Sequence, residues 1–325
     1  MKKVLLLDTS IATFNLGDEI INDSIRLNWP DLFEENYIVR YPAHTPPYSW
    51  WQQLFFKKKF SNLSNVDYRF LCGTNALYTN MLRPLPVWNV QYWNSSFLNG
   101  TVLLGVGAGV NSNTINYYTK KLYSSILSKE YIHSVRDEYT KDMLVKLGYR
   151  AINTGCPTIW GLTPELCNKI PTKKSKNVVF TLTGKQPDEE NDRLMIDILV
   201  DNYENLYFWP QTITDIDYLN YLGKYNYTMI PPNLHSYDSI LNTDIDYVGS
   251  RLHGGIRALQ HKKRTVIISI DYRAENMAKN FSLPVMPRQE INNQLRNFIN
   301  TSCVTEITGI DWVGIQEWKS QFDFV

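Results

Sequence analysis

The sequence predicts an α/β protein with two Rossmann-like domains, on three observations. Short apolar segments alternate with amphipathic ones, as in the strand predicted at residues 4–7 and the helix predicted at 18–27, and this alternation is typical of parallel sheets. Glycines and polar residues follow several of these strands, at the edge where such sheets bind ligands. The 325 residues also favour two domains, at about 150 residues for each.

The first domain is predicted over residues 1–165, as alternating strands and helices. Its strands are expected at 4–7, 37–41, 68–72, 102–106, 132–135 and 151–154. Prolines and lysines then concentrate between residues 163 and 177, which indicates an interdomain linker at 166–176. Residues 177–325 are predicted to form the second domain, which ends in a helical tail.

Composition excludes several classes of function. The formal net charge is +1, so no global field attracts nucleic acid, and no nucleic-acid partner is expected. The four cysteines lack paired spacing, which predicts neither a disulfide framework nor a metal site. The first apolar run stops at Asp8, too early for a signal peptide. No stretch reaches the length of a membrane span, and a cytoplasmic location is expected.

The segment 244–284 carries the strongest candidate site. A strand predicted at 245–248 leads into Ser250, Arg251, Leu252 and His253, before two glycines and a helix expected at 256–260. In an extended loop, residues two apart point the same way, so Arg251 and His253 are expected to reach one ligand. A guanidinium and an imidazole at a helix N-terminus suit an anion that needs a proton-transfer partner.

Other candidates leave two interpretations open. Asn15 and Asp18 begin a helix and either cap it or face a ligand; their spacing modestly favours the cap. Arg136 follows a strand and pairs either with Asp137 or with a bound anion. The run GVGAGV lacks the G-x-G-x-x-G spacing because residue 110 is Val, so it predicts a tight turn, beside a ligand or purely structural, rather than a dinucleotide site.

Two further segments are ambiguous. Arg273 follows the strand predicted at 265–270 and either adds to the site or pairs with Asp271. Residues 50–60, from Trp50 to Phe60, combine aromatic side chains with three lysines. That composition favours a packed loop with a solvated basic tip, and a peripheral membrane contact is the alternative.

Five motifs taken together resemble the polysaccharide pyruvyl transferase family, over most of residues 1–285. They are NLGDEIIND (15–23), GVGAGV (105–110), SVRDEYTKDMLVKLGY (134–149), NTGCPTIW (153–160) and GSRLHGGIRALQHKKRTVIISIDYR (249–273). The resemblance implies a fold similar to two-domain, GT-B-like glycosyltransferases, with the site in a central cleft. It also implies transfer of pyruvate from phosphoenolpyruvate to a sugar of a cell-surface polysaccharide, as a ketal, with release of phosphate.

The resemblance also implies roles on the donor side. Arg136, Arg251 and Leu252 are expected to bind phosphoenolpyruvate, and His253 to be the catalytic acid and base. Apart from the resemblance, the place of Arg273 at the end of the next predicted strand makes it a further expected phosphoenolpyruvate ligand. Phosphoenolpyruvate is a co-substrate, and no metal or redox cofactor is required.

On the acceptor side, Asp18 is expected to orient a sugar hydroxyl, and Asn15 and Asn75 to bind the acceptor. The acceptor is expected to be a sugar or a lipid-linked oligosaccharide, and the lipid-linked alternative would place the protein at the inner face of the membrane. A GT-B-like glycosyltransferase that uses a nucleotide sugar is the alternative function, and a binding protein of this fold is a third. The sequence predicts no oligomeric state.

Overall fold

The structure is a computed structural model, and it describes residues 1–46, 48–55, 63–84, 86–109 and 114–324. For Trp50, Gln53, Tyr272 and Arg273 it describes the backbone alone.

The strands follow one another along the chain with short spacings. They are β1 (Lys3–Asp8), β2 (Tyr37–Pro42), β3 (Tyr68–Cys72), β4 (Asn75–Tyr78), β5 (Thr101–Leu104), β6 (Gly107–Gly109), β7 (His133–Val135), β8 (Ala151–Asn153), β9 (Asn177–Thr181), β10 (Asn205–Phe208), β11 (Thr228–Met229), β12 (Asp246–Gly249), β13 (Thr265–Ser269) and β14 (Val285–Pro287).

The α-helices lie between these strands and after the last of them. They are α1 (Leu16–Asn28), α2 (Asp31–Glu34), α3 (Trp50–Phe55), α4 (Tyr117–Ile126), α5 (Glu138–Lys146), α6 (Pro164–Cys167), α7 (Glu189–Asn202), α8 (Ile213–Leu222), α9 (Leu234–Leu241), α10 (Leu252–Gln260), α11 (Tyr272–Phe281), α12 (Arg296–Asn300) and α13 (Trp312–Ser320).

The chain divides into two compact units. The first unit comprises residues 1–13, 21–160 and 311–325, and the second comprises residues 14–20 and 161–310. This division differs from the boundaries expected from sequence at both ends of the chain. A short N-terminal segment counts with the second unit, and the C-terminal helix α13 counts with the first.

Side-chain contacts explain the place of α13. Trp318 is 1% exposed, and its indole Nε1 donates to the carbonyl oxygen of Ile132 at 2.7 Å. Its ring packs edge-on against Trp29, with ring centroids 5.2 Å apart. The tail therefore completes the aromatic core of the first unit, although it follows the second unit in sequence.

In the first unit, the main sheet has the strand order β2-β1-β3-β5, and all its pairs are parallel. Two parallel pairs, β4-β6 and β7-β8, accompany it. The predicted strands of this unit are confirmed to within about two residues at each end, within the usual uncertainty of helix and strand limits.

In the second unit, a six-stranded parallel sheet has the order β11-β10-β9-β12-β13-β14. Numbered from β9, this is the order 3-2-1-4-5-6 of a Rossmann domain. From β9 the chain first builds one side of the sheet and then returns through β12 to build the other. The carboxyl ends of β9 and β12 therefore form the switch point at which such sheets bind ligands. The predicted α/β class is confirmed.

Helix α10 begins four residues earlier than predicted from the sequence. It starts at Leu252 rather than at residue 256 and contains both Gly254 and Gly255. A Cβ on Gly255 would lie 2.3 Å from Cγ1 of Ile267, so this glycine lets the helix pack closely on β13. The glycines serve packing inside the helix and do not delay its start.

Among the described residues, no helix is long and apolar enough to span a bilayer. Trp51, Leu54 and Phe55 of α3 are exposed. The rest of the segment considered for membrane contact, residues 56–60, lies outside the described residues.

Candidate active site

The switch point of the second unit fixes the start of α10. The backbone N–H of Ser250 donates to the Thr181 carbonyl oxygen at 3.1 Å, and the hydroxyls of Ser250 and Thr183 lie 2.9 Å apart. A Cβ on Gly249 would lie 2.2 Å from the Thr181 hydroxyl, so only glycine permits this approach of β12 to β9. These contacts hold Arg251, which follows Ser250, at the carboxyl edge of the sheet.

Arg251 directs its guanidinium into the protein. Nε donates to the Leu182 carbonyl oxygen at 2.9 Å and to Asp215 Oδ2 at 3.1 Å. Nη2 donates to the Thr212 hydroxyl at 2.8 Å and to Asp215 Oδ1. Within the described residues Nη1 makes no hydrogen bond, so it is the part of the fork left for a ligand.

Asp215 is the centre of this arrangement. Its carboxylate is fully buried and accepts from the backbone N–H groups of Gly184, Gln211 and Thr212 at 3.0 to 3.1 Å. With Thr212 it forms the capping box of α8, in which each side chain bonds the backbone of the other. Since both carboxylate oxygens are occupied, Asp215 and Arg251 form a fixed pair.

His253 lies in the first turn of α10, and Arg251 is the N-cap residue of that helix. The expectation that the two side chains point the same way assumed an extended loop, and it is wrong because the backbone is already helical at Leu252. The imidazole instead faces the start of α1: a Cβ on Gly17 would lie 3.1 Å from His253 Nδ1. Leu252 and His253 are both half-buried.

Asn15 and Asp18 belong to the same unit as Arg251 and His253. Asn15 Oδ1 accepts from the Gly17 N–H at 3.1 Å, and Asn15 Nδ2 donates to Asp18 Oδ2 at 3.2 Å. Asn15 also accepts from Gln211 Nε2 at 2.9 Å. The cap interpretation of Asn15 is therefore confirmed, and the same segment lies beside His253.

Arg136 belongs to the first unit and is held differently. Its Nε lies 3.6 Å from Asp137 Oδ2, while Asp137 Oδ1 caps α5 by accepting from the Thr140 N–H and hydroxyl, both at 2.7 Å. The ion pair expected as one alternative is present. Within the described residues it is the only bond of the guanidinium, which leaves the other nitrogens available.

Asn75 shares a corner with Arg136. A Cβ on Gly107 would lie 2.3 Å from both Arg136 Nε and Asn75 Oδ1. The Asn75 Oδ1 atom is buried and has no hydrogen-bond partner among the described residues. Arg136 was predicted to bind the donor and Asn75 the acceptor, whereas in the structure both side chains lie against Gly107.

The predicted site residues thus fall into two groups, one in each unit. Asn15, Asp18, Arg251, Leu252 and His253 lie in the second unit, and Asn75 and Arg136 in the first. Arg273 is the second residue of α11, and its side chain lies outside the described residues. The described residues contain no cluster of His, Cys, Asp or Glu suited to a metal ion.

Sequence reasoning missed Gln211, Thr212 and Asp215. They follow β10, and they contact Arg251 or Asn15. The available signal was the pattern T-x-x-D after an apolar strand, which predicts a capping box. It indicates the start of a helix and says nothing about which distant arginine its carboxylate meets.

Comparison with solved structures identifies the fold. S. aureus MnaA in a UDP co-structure has a TM-score of 0.51 at 10% identity, covering 100% of this chain and 98% of that one. UDP-GlcNAc 2-epimerase of Methanocaldococcus jannaschii, in complex with UDP-GlcNAc and UDP, has a TM-score of 0.50 at 9% identity, covering 99% of this chain and 100% of that one. These GT-B-like neighbours share the fold. No curated protein sequence matches the chain.

The family model for polysaccharide pyruvyl transferase matches residues 15–272. The match covers most of the chain and includes both groups of candidate residues. It begins at Asn15, which bonds Gln211, and continues through the second-unit helix that carries His253. The chain belongs to the polysaccharide pyruvyl transferase family.

Proposed function

We propose that the protein transfers the pyruvyl group of phosphoenolpyruvate onto two hydroxyls of a sugar, as a ketal, with release of phosphate. The observation that carries the proposal is the position of His253. It lies in the first turn of α10, two residues after Arg251, at the switch point of the second sheet. Family membership supplies the pyruvyl chemistry, and the donor and the type of product are proposed.

The donor is a small trianion, which suits guanidinium groups and a helix N-terminus. In the second unit, Arg251 offers Nη1 together with the first backbone N–H groups of α10. In the first unit, Arg136 offers a guanidinium with a single 3.6 Å ion pair. Each arginine is a candidate ligand for the phosphate or carboxylate of phosphoenolpyruvate.

His253 is the proton donor of the proposed reaction. The imidazolium protonates the methylene carbon of phosphoenolpyruvate, and the neighbouring carbon becomes oxocarbenium-like. One sugar hydroxyl adds there, phosphate leaves as the C–O bond breaks, and a second hydroxyl adds to the same carbon. The hydroxyls release two protons: one restores the imidazolium and the other leaves with the phosphate, so atoms and charge balance.

The acceptor is proposed to meet the start of α1. Asp18 accepts from Asn15, and its carboxylate is proposed to orient a sugar hydroxyl. A lipid-linked acceptor is part of the proposal, because exposed Trp51, Leu54 and Phe55 are side chains that favour the headgroup layer.

The test is phosphate release from phosphoenolpyruvate with a panel of glycan acceptors, offered free and lipid-linked in vesicles. We expect His253→Gln to lower turnover by about 100-fold or more, the scale of a lost general acid. His235→Gln is the matched control, because His235 is an exposed histidine of α9 in the same unit.

Full turnover by His253→Gln would refute the acid assignment. Binding assays with phosphoenolpyruvate and with UDP-sugars separate the two candidate functions. The structural neighbours bind UDP or UDP-GlcNAc, so a response to UDP-sugars alone would favour a nucleotide-sugar enzyme and overturn the proposal.

A further inference from the structure

Gln211 connects two distant parts of the second unit. It lies between β10 and α8 and is 4% exposed. Its carbonyl oxygen accepts from the Leu16 N–H at 3.1 Å. Its side-chain Nε2 donates to Asn15 Oδ1 at 2.9 Å, across 196 residues of sequence. Both bonds hold the short N-terminal segment against the body of the unit.

The polarity of these bonds is fixed at both ends. The Gly17 N–H is a donor, so the Asn15 atom that meets it at 3.1 Å must be the oxygen. The Asn15 amide nitrogen then faces the Asp18 carboxylate at 3.2 Å, as an acceptor requires. The Asn15 side-chain oxygen is therefore the acceptor of the bond to Gln211, and the Gln211 NH2 group must be the donor.

This orientation leaves the other end of the Gln211 amide without a bond. Its Oε1 atom is buried and has no hydrogen-bond partner among the described residues. A buried carbonyl oxygen without a donor is costly, and such atoms call for an explanation. The explanation here is that the orientation of Gln211 is set by Asn15 rather than by its own hydrogen-bonding capacity.

The other contacts of Gln211 lead to the catalytic candidates. Its backbone N–H donates to Asp215 Oδ2 at 3.1 Å, on the carboxylate that holds Arg251. A Cβ on Gly17 would lie 2.7 Å from Gln211 Nε2 and 3.1 Å from His253 Nδ1. One residue thus touches both the α1 segment and the support of Arg251, beside the histidine.

We propose that Gln211 is a positioning residue, which holds the Asn15–Asp18 segment against the His253 turn through its bond to Asn15. The coupling follows from the hydrogen bonds of Gln211 to Leu16, Asn15 and Asp215. Its consequence for turnover rests on the proposed function. Gln211 acts through Asn15 and touches no substrate.

The experiment uses Gln211→Met. Methionine has a side chain of similar length, keeps the backbone hydrogen bonds of residue 211 and lacks the side-chain amide that bonds Asn15. Hydrogen exchange is expected to accelerate by about 10-fold or more at the Gly17 amide, because its acceptor Asn15 loses its anchor. Turnover is expected to fall by about 10- to 100-fold. Calorimetry is expected to give an unchanged Kd and stoichiometry for phosphoenolpyruvate, which a folding defect would alter.

Gln321→Met is the matched control. That glutamine also bonds backbone, through Ile132 in the first unit, and its loss is expected to leave Gly17 exchange and turnover unchanged. A second measurement is the coupling between Asn15→Ala and Gln211→Met in thermal unfolding, which should be clearly non-additive.

Unchanged Gly17 exchange together with additive unfolding would overturn the inference, as would loss of phosphoenolpyruvate stoichiometry in Gln211→Met. If the unmodified protein neither binds nor turns over phosphoenolpyruvate, the proposed function fails. The exchange and coupling measurements still decide the role of Gln211, because neither uses a ligand.

Discussion

Arg251 in the second unit and Arg136 in the first are exposed to nearly the same extent, 11% and 14%, yet they are held in opposite ways. Arg251 bonds Asp215, Thr212 and the Leu182 carbonyl oxygen. Arg136 has one ion pair at 3.6 Å, to an aspartate already engaged as a helix cap.

The difference separates two uses of an arginine at a sheet edge. Arg251 is part of the framework, because a fully buried carboxylate depends on it, and it has one nitrogen left for a ligand. Arg136 is held by a single long ion pair, so most of its guanidinium N–H groups can bind an anion. Equal exposure therefore does not mean equal availability, and substitution of the two should give different results.

The largest expected effect is on folding. Arg251→Met should lower the free energy of unfolding by about 3–5 kcal/mol, because it leaves Asp215 as a buried charge without its partner. Arg136→Met should cost under about 1 kcal/mol, since Asp137 keeps its cap and remains partly exposed. Urea unfolding of both variants measures the difference.

Arg251→Lys refines this comparison, because lysine keeps the charge and loses the planar fork. An intermediate loss of stability is expected. Equal losses for Arg251→Met and Arg136→Met would contradict the distinction between the two arginines.

The next effect concerns the strand that presents Arg136. His133 in β7 accepts from the Leu103 N–H through Nδ1 at 3.1 Å and lies 2.9 Å from the Ser128 carbonyl oxygen through Nε2. Burial lowers its pKa from 6.5 to about 4. The unfolded state binds more protons between these values, so stability should fall as pH drops from 6.5 to 4, by about 3 kcal/mol.

His133→Gln should flatten this part of the stability profile, because glutamine does not titrate. Urea unfolding at a series of pH values between 4 and 7 checks the prediction for both proteins. Parallel profiles would show that another group controls the acid sensitivity of this unit.

The smallest expected effect is on anion binding by the first unit. Gly107→Ala places a Cβ 2.3 Å from Arg136 Nε and Asn75 Oδ1, so both side chains must move. Binding of phosphoenolpyruvate should weaken by about 10-fold, or 1.4 kcal/mol, as measured by calorimetry.

Gly109→Ala is the matched control in the same strand, where the added Cβ lies 2.3 Å from the Tyr78 ring instead. It overpacks β6 against Tyr78 and places no added atom against Arg136 or Asn75. Equal weakening by both variants would assign the effect to the strand rather than to the Arg136 corner.

Much of the fold was predictable because its patterns are local. The limits of β3, from Tyr68 to Cys72, were predicted correctly, since a short apolar run before glycine is typical of a buried parallel strand. The start of α10 was not predicted correctly. Glycine has a low helix propensity, and propensity does not include the close contact of Gly255 with Ile267 that favours glycine in this helix.

The sequence by itself determined the fold class, the family motifs and the residue types at the candidate site. Tertiary structure alone decided that Arg251 is bound to Asp215, that α13 completes the first unit, and that Gln211 donates a hydrogen bond to Asn15 across 196 residues of sequence. The physical reason is range. Periodicity and turn chemistry act over a few residues, whereas the partner of a buried polar group is chosen by packing between segments far apart in the chain.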